Sequence, residues 1–175
     1  MHLQLANTIN ALEYLHNKNI IHRDISPDNL IISSNGKLYL IDFGTAKYFR
    51  EFRTPVEGFP SSEVFKFYFS PGEQFEGRIY FQSDIFSVGR TMFYMLTGEL
   101  PPRSPFDELR FPRGIREDLA NIAIKAAKEK VEDRYSSVGE MRSELESLIR
   151  PPIITPLPSI GPRLIIGSKV YPLKD

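Results

Sequence analysis

The chain contains no cysteine and only three histidines among its 175 residues. The lack of cysteine excludes a disulfide framework, thiol catalysis and a cysteine-based metal site, and three histidines are too few for a histidine-rich one. No run of about 18 apolar residues is present that would cross a membrane. The first residues also lack the basic and apolar regions of a signal peptide. The sequence therefore predicts a cytoplasmic protein with no membrane association.

The chain also lacks an excess of charge of either sign, because 22 Lys and Arg residues balance 22 Asp and Glu residues. A general nucleic-acid binder carries a basic excess, so no nucleic-acid partner is expected. Charged residues make up 25% of the chain and hydrophobic residues 41%. That composition is typical of a globular protein, and the length predicts one domain, or one domain and a fragment.

Apolar residues recur at three- and four-residue steps, which predicts several helices. The expected helices cover residues 5–16, 83–96, 117–128 and, from 136 or 137, up to 149. After the first helix, two short apolar runs flank an Asn-Gly dipeptide at residues 35–36, which is typical of a β-hairpin. A long irregular stretch is expected from about 45 to 70. The predicted fold class is mainly α with a small β-hairpin region.

The last 25 residues differ in composition from the rest. They hold six of the 14 prolines, at positions 151, 152, 156, 158, 162 and 172. Residues 150–162 are therefore interpreted as an extended Pro-rich linker. Two short apolar runs follow within 163–175, and two strands alone are marginally stable in water. This tail is interpreted as the beginning of a further domain.

Two polar motifs flank the predicted hairpin. The letters H-R-D-x-x-x-x-N span residues 22–29, and D-F-G spans residues 42–44. In this order and spacing, the pair resembles the catalytic core of the eukaryotic-type Ser/Thr protein kinases in their bacterial-like form. The chain is therefore identified as a member of that family, with the fold and activity of a protein kinase as expectations.

Three later segments agree with the resemblance. S-P-G-E-Q at 70–74 is similar to the A-P-E motif, D-I-F-S-V-G at 84–89 to the D-x-W-S-x-G motif, and E-D-R-Y at 132–135 to the late arginine segment. The resemblance covers about residues 3–149, taken as the domain 1–149. It implies the C-terminal lobe of a kinase, with the N-terminal lobe absent.

The resemblance implies a role for each polar residue around the hairpin. Asp24 is expected to orient the substrate hydroxyl and accept its proton, since phosphoryl transfer depends mostly on positioning and charge neutralisation. Asn29 and Asp42 are expected to hold Mg²⁺ and, through it, ATP. Gly44 is expected to let the chain turn after Asp42. The implied partner is a protein substrate.

Other residues are expected to support these. His22 is interpreted as a scaffold residue, and Asp84 is expected to bind the backbone of the catalytic loop. In the family Glu73 forms a buried ion pair with the late arginine, here Arg134. Arg23 is the residue type that pairs with a phosphorylated activation loop. The candidate regulatory phosphosites are Thr45, Thr54, Ser61 and Ser62.

The sequence departs from the family pattern at two linked positions. Ser26 stands where Ser/Thr kinases usually have the lysine that neutralises the γ-phosphate. Lys66 stands where the family usually has a threonine that bonds the catalytic aspartate. The two residue types are therefore exchanged, and the hypothesis is that Lys66 supplies the ammonium while Ser26 supplies the hydroxyl.

The sequence contains no G-x-G-x-x-G loop and no V-A-x-K strand. In the family these belong to the N-terminal lobe, so the chain is expected to be a kinase fragment that needs an upstream segment or a partner. Residues 163–175 are similar to the start of a forkhead-associated domain. Two alternatives stay open, an inactive binding module that interacts with partner proteins and a small-molecule kinase of the aminoglycoside phosphotransferase type.

Overall fold

The structure is a computed structural model that describes residues 2–48, 66–104, 106–149, 163–166 and 169–172. The described residues are mainly helical, as the periodicity predicts. Their five helices are α1 His2–Asn17, α2 Gly72–Phe75, α3 Phe81–Thr97, α4 Glu117–Ala126 and α5 Val138–Ile149. None of these helices is long and apolar enough to pass through a bilayer.

The helix ends follow local capping chemistry. Gly98 ends α3 with φ at 74°, a left-handed conformation that glycine adopts without strain. Helix α5 begins at Val138 because the Ser137 hydroxyl accepts a hydrogen bond from Glu140 N at 3.2 Å. Helix α4 ends at Ala126, two residues before the predicted end, and the chain continues into a 3₁₀ turn at Val131–Asp133. Short helix α2 carries no periodic pattern, and the sequence did not predict it.

The described strands form three antiparallel pairs. Strands β2 Leu30–Ile32 and β3 Leu38–Leu40 form the predicted hairpin, with Leu30 opposite Leu40. At its turn, Gly36 adopts φ of 77°. Strand β1 Ile20–Ile21 pairs with β4 Lys47–Tyr48. The stretch from about 45 to 70, which we expect to be irregular, therefore contains a short strand near its start. Two-residue strands are too short to leave a period-2 pattern, which explains the missed pair.

The third strand pair lies in the tail. Strand β5 Arg163–Ile166 pairs with β6 Lys169–Pro172. The predicted linker at 150–162 lies outside the described residues, and so do residues 173–175. The assignment of this tail to a forkhead-associated domain stays a prediction.

Helix α3 lies at the centre of the core. It packs against α4, while α1 packs against α5 and against the hairpin. A Cβ atom on Gly89 would lie 2.7 Å from the carbonyl oxygen of Ala123. Glycine therefore allows the two helices to approach closely. Every residue from Ser83 to Phe93 is buried.

The buried face of α3 is not purely apolar, although the sequence pattern suggested a helix apolar nearly all round. Five of its buried residues are polar or charged, namely Ser83, Asp84, Ser87, Arg90 and Thr91. Buried polar groups need hydrogen-bond partners. Asp84 and Arg90 bind backbone groups of other segments, so helix α3 also anchors the polar segments around it.

Candidate active site

The catalytic-loop motif lies between β1 and β2, and several of its polar residues are buried. Asp24 is 6% exposed, Ser26 2% and Asn29 8%. Asn29 Nδ2 donates a hydrogen bond to the carbonyl oxygen of Asp24 at 2.7 Å. This bond joins the end of the catalytic loop to its middle. It also commits the amide nitrogen of Asn29, so that Oδ1 is the end of the side chain left for a cation.

Asp42 is brought to the same place by the register of the hairpin. Ile41 N donates to the carbonyl oxygen of Asn29 at 2.9 Å, which extends the pairing of β2 and β3 by one step. Asp42 follows directly and adopts φ of 59°, a left-handed conformation. Its Oδ1 accepts a hydrogen bond from Gly44 N at 3.0 Å. Asn29 and Asp42 therefore lie together at the open end of the hairpin.

Gly44 allows this tight turn because a side chain there would crowd Asp42. A Cβ atom on Gly44 would lie 3.0 Å from Asp42 Oδ1. Asp42 itself is exposed. The chain therefore presents a carboxylate toward solvent at the edge of the buried catalytic loop.

The donor set at this edge fits Mg²⁺. Carboxylate and amide oxygens are hard ligands, and Mg²⁺ is usually held by one or two carboxylates together with water and phosphate oxygens. Among the described residues no cluster of three or more His, Cys, Asp or Glu side chains forms a closed metal cage. Asn29 and Asp42 would therefore hold the ion from one side only, which leaves room for phosphate oxygens.

Asp84 on α3 anchors the backbone of the catalytic loop. It is 0% exposed, and its Oδ2 and Oδ1 accept hydrogen bonds from His22 N at 2.9 Å and Arg23 N at 2.8 Å. His16 Nε2 donates to Asp84 Oδ2 at 2.8 Å. Sequence reasoning gave His16 no role, because its partner lies 68 residues further along the chain and no short motif links them.

The His22 ring is fully buried, and its edge lies against Phe43, with ring centroids 5.0 Å apart. Burial lowers the pKa of His22, and the negative charges of Asp84 and Asp24 partly oppose that shift. Below its ordinary pKa range, the imidazole is neutral at pH 7. His22 therefore sits between the catalytic loop and the D-F-G segment as an uncharged packing residue.

Arg23 and Thr45 connect the catalytic loop to the chain that follows D-F-G. Arg23 Nε donates to the carbonyl oxygen of Thr45 at 2.5 Å, and Thr45 Oγ1 donates to the carbonyl oxygen of His22 at 3.0 Å. Burial lowers the pKa of Arg23. The hydroxyl of Thr45 is thus engaged in the structure. The other candidate phosphosites, Thr54, Ser61 and Ser62, lie outside the described residues.

Glu73 and Arg134 form a bidentate ion pair. Arg134 Nη1 lies 2.6 Å from Glu73 Oε1, and Nη2 lies 3.0 Å from Oε2. Ser83 Oγ also donates to Glu73 Oε1 at 2.9 Å. The arginine side chain is 0% exposed and the glutamate side chain 9%. The pair therefore joins α2, the start of α3 and the segment before α5 in the interior of the protein.

Gln74 links this ion pair to the catalytic loop. It follows Glu73 on α2, and its Nε2 donates to the carbonyl oxygen of Arg23 at 2.9 Å. The sequence placed Gln74 within a motif but did not predict this contact. Through it, α2 lies beside the residue that precedes Asp24.

Ser26 and Lys66 are placed on two different segments. Ser26 is buried directly before the 3₁₀ turn Pro27–Asn29. Lys66 begins the 3₁₀ turn Lys66–Tyr68, and its side chain lies outside the described part of the structure. The proposed exchange of their roles therefore stays a prediction.

A cavity of about 700 Å³ opens beside the ion pair, with Glu73, Arg134, Phe86 and Phe106 in its lining. None of Asp24, Asn29 or Asp42 lines it. This cavity is therefore separate from the candidate active site at the end of the hairpin.

Comparison with known proteins agrees with the motifs. Residues 2–153 match the family model described as protein kinase domain. Serine/threonine-protein kinase PknA of Nostoc is 34% identical over 81% of this chain, and serine/threonine-protein kinase D of Synechocystis is 35% identical over 83%. Serine/threonine-protein kinase PknB of Mycobacterium tuberculosis is 28% identical over 81%. The matched regions cover 27%, 31% and 25% of those relatives, so the chain spans about a quarter to a third of their length.

Proposed function

The chain belongs to the protein kinase family, and on that premise we propose that it supplies the catalytic edge of a serine/threonine protein kinase. The reaction is transfer of the γ-phosphoryl group of ATP to a hydroxyl group of a protein. The family uses ATP and Mg²⁺ generally. The named relatives are serine/threonine kinases, which favours those hydroxyls as acceptors.

The observation that carries the proposal is the convergence of three polar residues at one end of the β2–β3 hairpin. The Asn29–Asp24 hydrogen bond and the Ile41–Asn29 backbone bond place the catalytic loop next to Asp42. In the proposed reaction Asp24 orients the acceptor hydroxyl and accepts its proton. Asn29 Oδ1 and the Asp42 carboxylate hold Mg²⁺, which, when bound, neutralises charge on the phosphates.

The surrounding contacts fix this edge in place. Asp84 holds the backbone of His22 and Arg23, and Gln74 holds the carbonyl of Arg23. We propose that these bonds keep Asp24 in one orientation, because preorganised groups lose no energy to rearrangement during the reaction.

We further propose that residues 1–149 form the C-terminal lobe of the kinase fold. The 175 residues contain no G-x-G-x-x-G segment to cover the phosphates of ATP. In this proposal that loop comes from protein outside these residues, either in the same polypeptide or in a partner.

The experiment measures phosphate transfer from Mg·ATP, to the protein itself and to a generic basic protein, by a polypeptide that carries this chain together with the G-x-G-x-x-G segment. The test variant is Asp24→Asn, which removes the proton acceptor and keeps the shape. Asp28→Asn is the matched control, since Asp28 is exposed on the same loop. We expect Asp24→Asn to lower transfer about 10³-fold and Asp28→Asn to leave it unchanged. Transfer that survives in Asp24→Asn would overturn the assigned role.

A second function, a binding module without catalysis, is favoured by one observation. The hairpin exposes Ile31 at 51%, Ile32 at 58% and Tyr39 at 50%. Apolar side chains grouped on one small hairpin are typical of a contact surface. A wild-type polypeptide that carries the G-x-G-x-x-G segment and still shows no transfer would favour this function.

A further inference from the structure

Helix α3 carries an arginine whose side chain is buried in the interior of the protein. Arg90 is 0% exposed and is among the largest fully buried side chains of the described residues. Arginine is almost never fully buried unless it is paired. The reason for its presence must therefore lie in the groups that its guanidinium contacts.

Those groups are backbone carbonyls from two segments that are distant in sequence. Arg90 Nε donates to the carbonyl oxygen of Tyr68, and Nη2 donates to the carbonyl oxygen of Pro102. The guanidinium also lies over the ring of Phe86, with Cζ 5.4 Å from the ring centroid. The planar side chain of arginine donates in two directions at once, which lysine cannot do in the same way.

The charge of Arg90 is not neutralised by a contacting carboxylate in the part of the chain that the structure describes. Burial lowers the pKa of Arg90 to about 10, and the more distant Asp107 partly opposes that shift. The group therefore stays protonated at pH 7, and its Nη1 has no hydrogen-bond partner among the described residues. A buried cation held only by carbonyls is costly, so stability alone is a poor reason to keep it.

The Tyr68 carbonyl lies at the start of a segment that ends at the catalytic loop. Phe69 and Ser70 are buried, and the Phe69 ring meets the ring of Tyr94 on α3 edge-on, with centroids 6.2 Å apart. Helix α2 follows, and its Gln74 binds the Arg23 carbonyl next to Asp24. Arg90 thus holds this segment at Tyr68, and Gln74 ties the helix that follows it to the catalytic loop.

We propose that Arg90 is a positioning residue, which holds residues 66–71 in the geometry that lets a protein substrate lie beside Asp24. The proposal rests on the kinase function proposed above and adds to it a group that fixes the segment before α2. Arg90 itself does not contact the reacting atoms in this proposal. Its effect passes through the Tyr68 carbonyl to the backbone of the segment.

The test compares Arg90→Met, which keeps the volume and removes both donors, with Arg90→Lys, which keeps the charge. Thr91→Val is the matched control, because Thr91 is the next buried residue on α3 and its hydroxyl has no partner among the described residues. The first readout is amide hydrogen exchange in peptides covering residues 66–71, with a peptide from α5 as the internal reference. The second is the KM for a protein substrate, measured beside kcat and the KM for ATP.

We expect Arg90→Met to speed exchange in residues 66–71 at least tenfold and to leave α5 unchanged. We expect the KM for the protein substrate to rise about tenfold, with kcat and the KM for ATP changed less than threefold. Arg90→Lys should lie between wild type and Arg90→Met. It also serves as the test variant if the methionine variant does not fold. Thr91→Val should match wild type in both readouts.

Exchange in 66–71 that stays at the wild-type rate would overturn the proposal, as would an equal increase in α5, which would indicate a purely structural residue. A fall in kcat with an unchanged KM for the protein substrate would overturn it too. If a polypeptide that carries this chain together with the G-x-G-x-x-G segment shows no transfer, the proposed function fails, while the exchange measurement still decides whether Arg90 holds the segment.

Discussion

The catalytic edge consists of residues 22–29 and 41–44. Its exposed carboxylate and the buried carboxylate of the interior around α3 lie in opposite environments. Asp84 in the interior is fully buried and accepts three hydrogen bonds. Asp42 at the edge is exposed, adopts a left-handed backbone conformation, and accepts a bond from Gly44 through Oδ1. The interior carboxylate is saturated by the protein, whereas the edge carboxylate is left able to bind something else.

This difference predicts that the paired interior charges determine stability and that the exposed carboxylate at the edge determines phosphate transfer. Removing an interior charge leaves its buried partner without compensation, which is strongly destabilising. Removing the charge of Asp42 leaves a site that water can solvate, so the fold should survive. Substitutions in the interior ion pairs should therefore change the free energy of unfolding, and substitution of the exposed carboxylate at the edge should change transfer.

The largest expected effect is on the buried ion pair. Arg134→Met removes the partner of Glu73 and also the donor to the carbonyl oxygens of Lys128 and Glu129. We expect it to lower the free energy of unfolding by about 3–5 kcal/mol, because an unpaired carboxylate stays in the interior. Urea unfolding followed by circular dichroism measures the loss.

The matched control for that prediction is Arg142→Met. Arg142 pairs with Glu13 at 2.9 Å, but both side chains are partly exposed. Such a pair contributes at most about 1 kcal/mol. Equal losses in the two variants would contradict the idea that the interior charges carry the stability.

The next expected effect concerns the positive charge that Lys66 is predicted to supply at the catalytic edge. If Lys66 supplies the ammonium that Ser26 cannot, Lys66→Ala should lower kcat about 100-fold and change the KM for ATP little, since the charge acts mainly in the transition state. Steady-state kinetics of the transferring enzyme measure both constants. Lys37→Ala, at an exposed lysine in the hairpin turn, is the control.

A second variant tests the exchange directly. Ser26→Lys combined with Lys66→Thr restores the arrangement that the family usually has, and we expect it to recover part of the lost kcat. A normal kcat in Lys66→Ala would rule out the exchange hypothesis. The unfolding free energy should be close to that of wild type in Lys66→Ala, as the comparison requires.

The sequence allowed prediction of the parts that short segments determine. The Asn-Gly turn at 35–36 predicted the hairpin, and apolar periodicity over 83–96 predicted helix α3. The spacing of H-R-D, N and D-F-G predicted which polar residues gather at the edge. In each case the decisive residues lie within a few positions of one another, so local preferences and motif spacing are enough.

The contacts that the sequence could not give join distant segments. Arg90 binds a carbonyl 22 residues away, and His16 binds an aspartate 68 residues away. The pairing of β1 with β4 belongs to the same class. These contacts depend on how the helices pack around α3. The local sequence around a buried arginine or histidine does not show which distant group it will contact.

A smaller loss of stability is expected where α3 crosses α4. Gly89→Ala would place a Cβ atom 2.7 Å from the Ala123 carbonyl oxygen and 2.8 Å from Ala126 Cβ. The backbone cannot move aside cheaply, so we expect a loss of about 1–3 kcal/mol in the free energy of unfolding. Urea unfolding measures it.

Gly139→Ala on α5 is the matched control for the helix crossing. Its Cβ atom would meet Glu13 Oε1 at 2.8 Å, which is the far end of a flexible side chain that can turn away. We expect this variant to be neutral or slightly stabilising, because alanine favours helix more than glycine does. A loss equal to that of Gly89→Ala would show that the close approach of α3 and α4 is not the cause.

The smallest expected effect concerns His22, where the interior and the catalytic edge meet. Burial holds the pKa of His22 below its ordinary value of 6.5. The unfolded chain therefore binds a proton near pH 6.5 that the folded protein does not, and stability falls as the pH drops through that value. His22→Leu removes this proton-binding difference. Urea midpoints of wild type and His22→Leu, measured from pH 8 to pH 5.5, should therefore diverge on acidification, with wild type losing more. Parallel curves would mean that the pKa of His22 is the same in the folded and the unfolded protein. The His22 ring would then be as accessible to solvent as the Asp42 carboxylate.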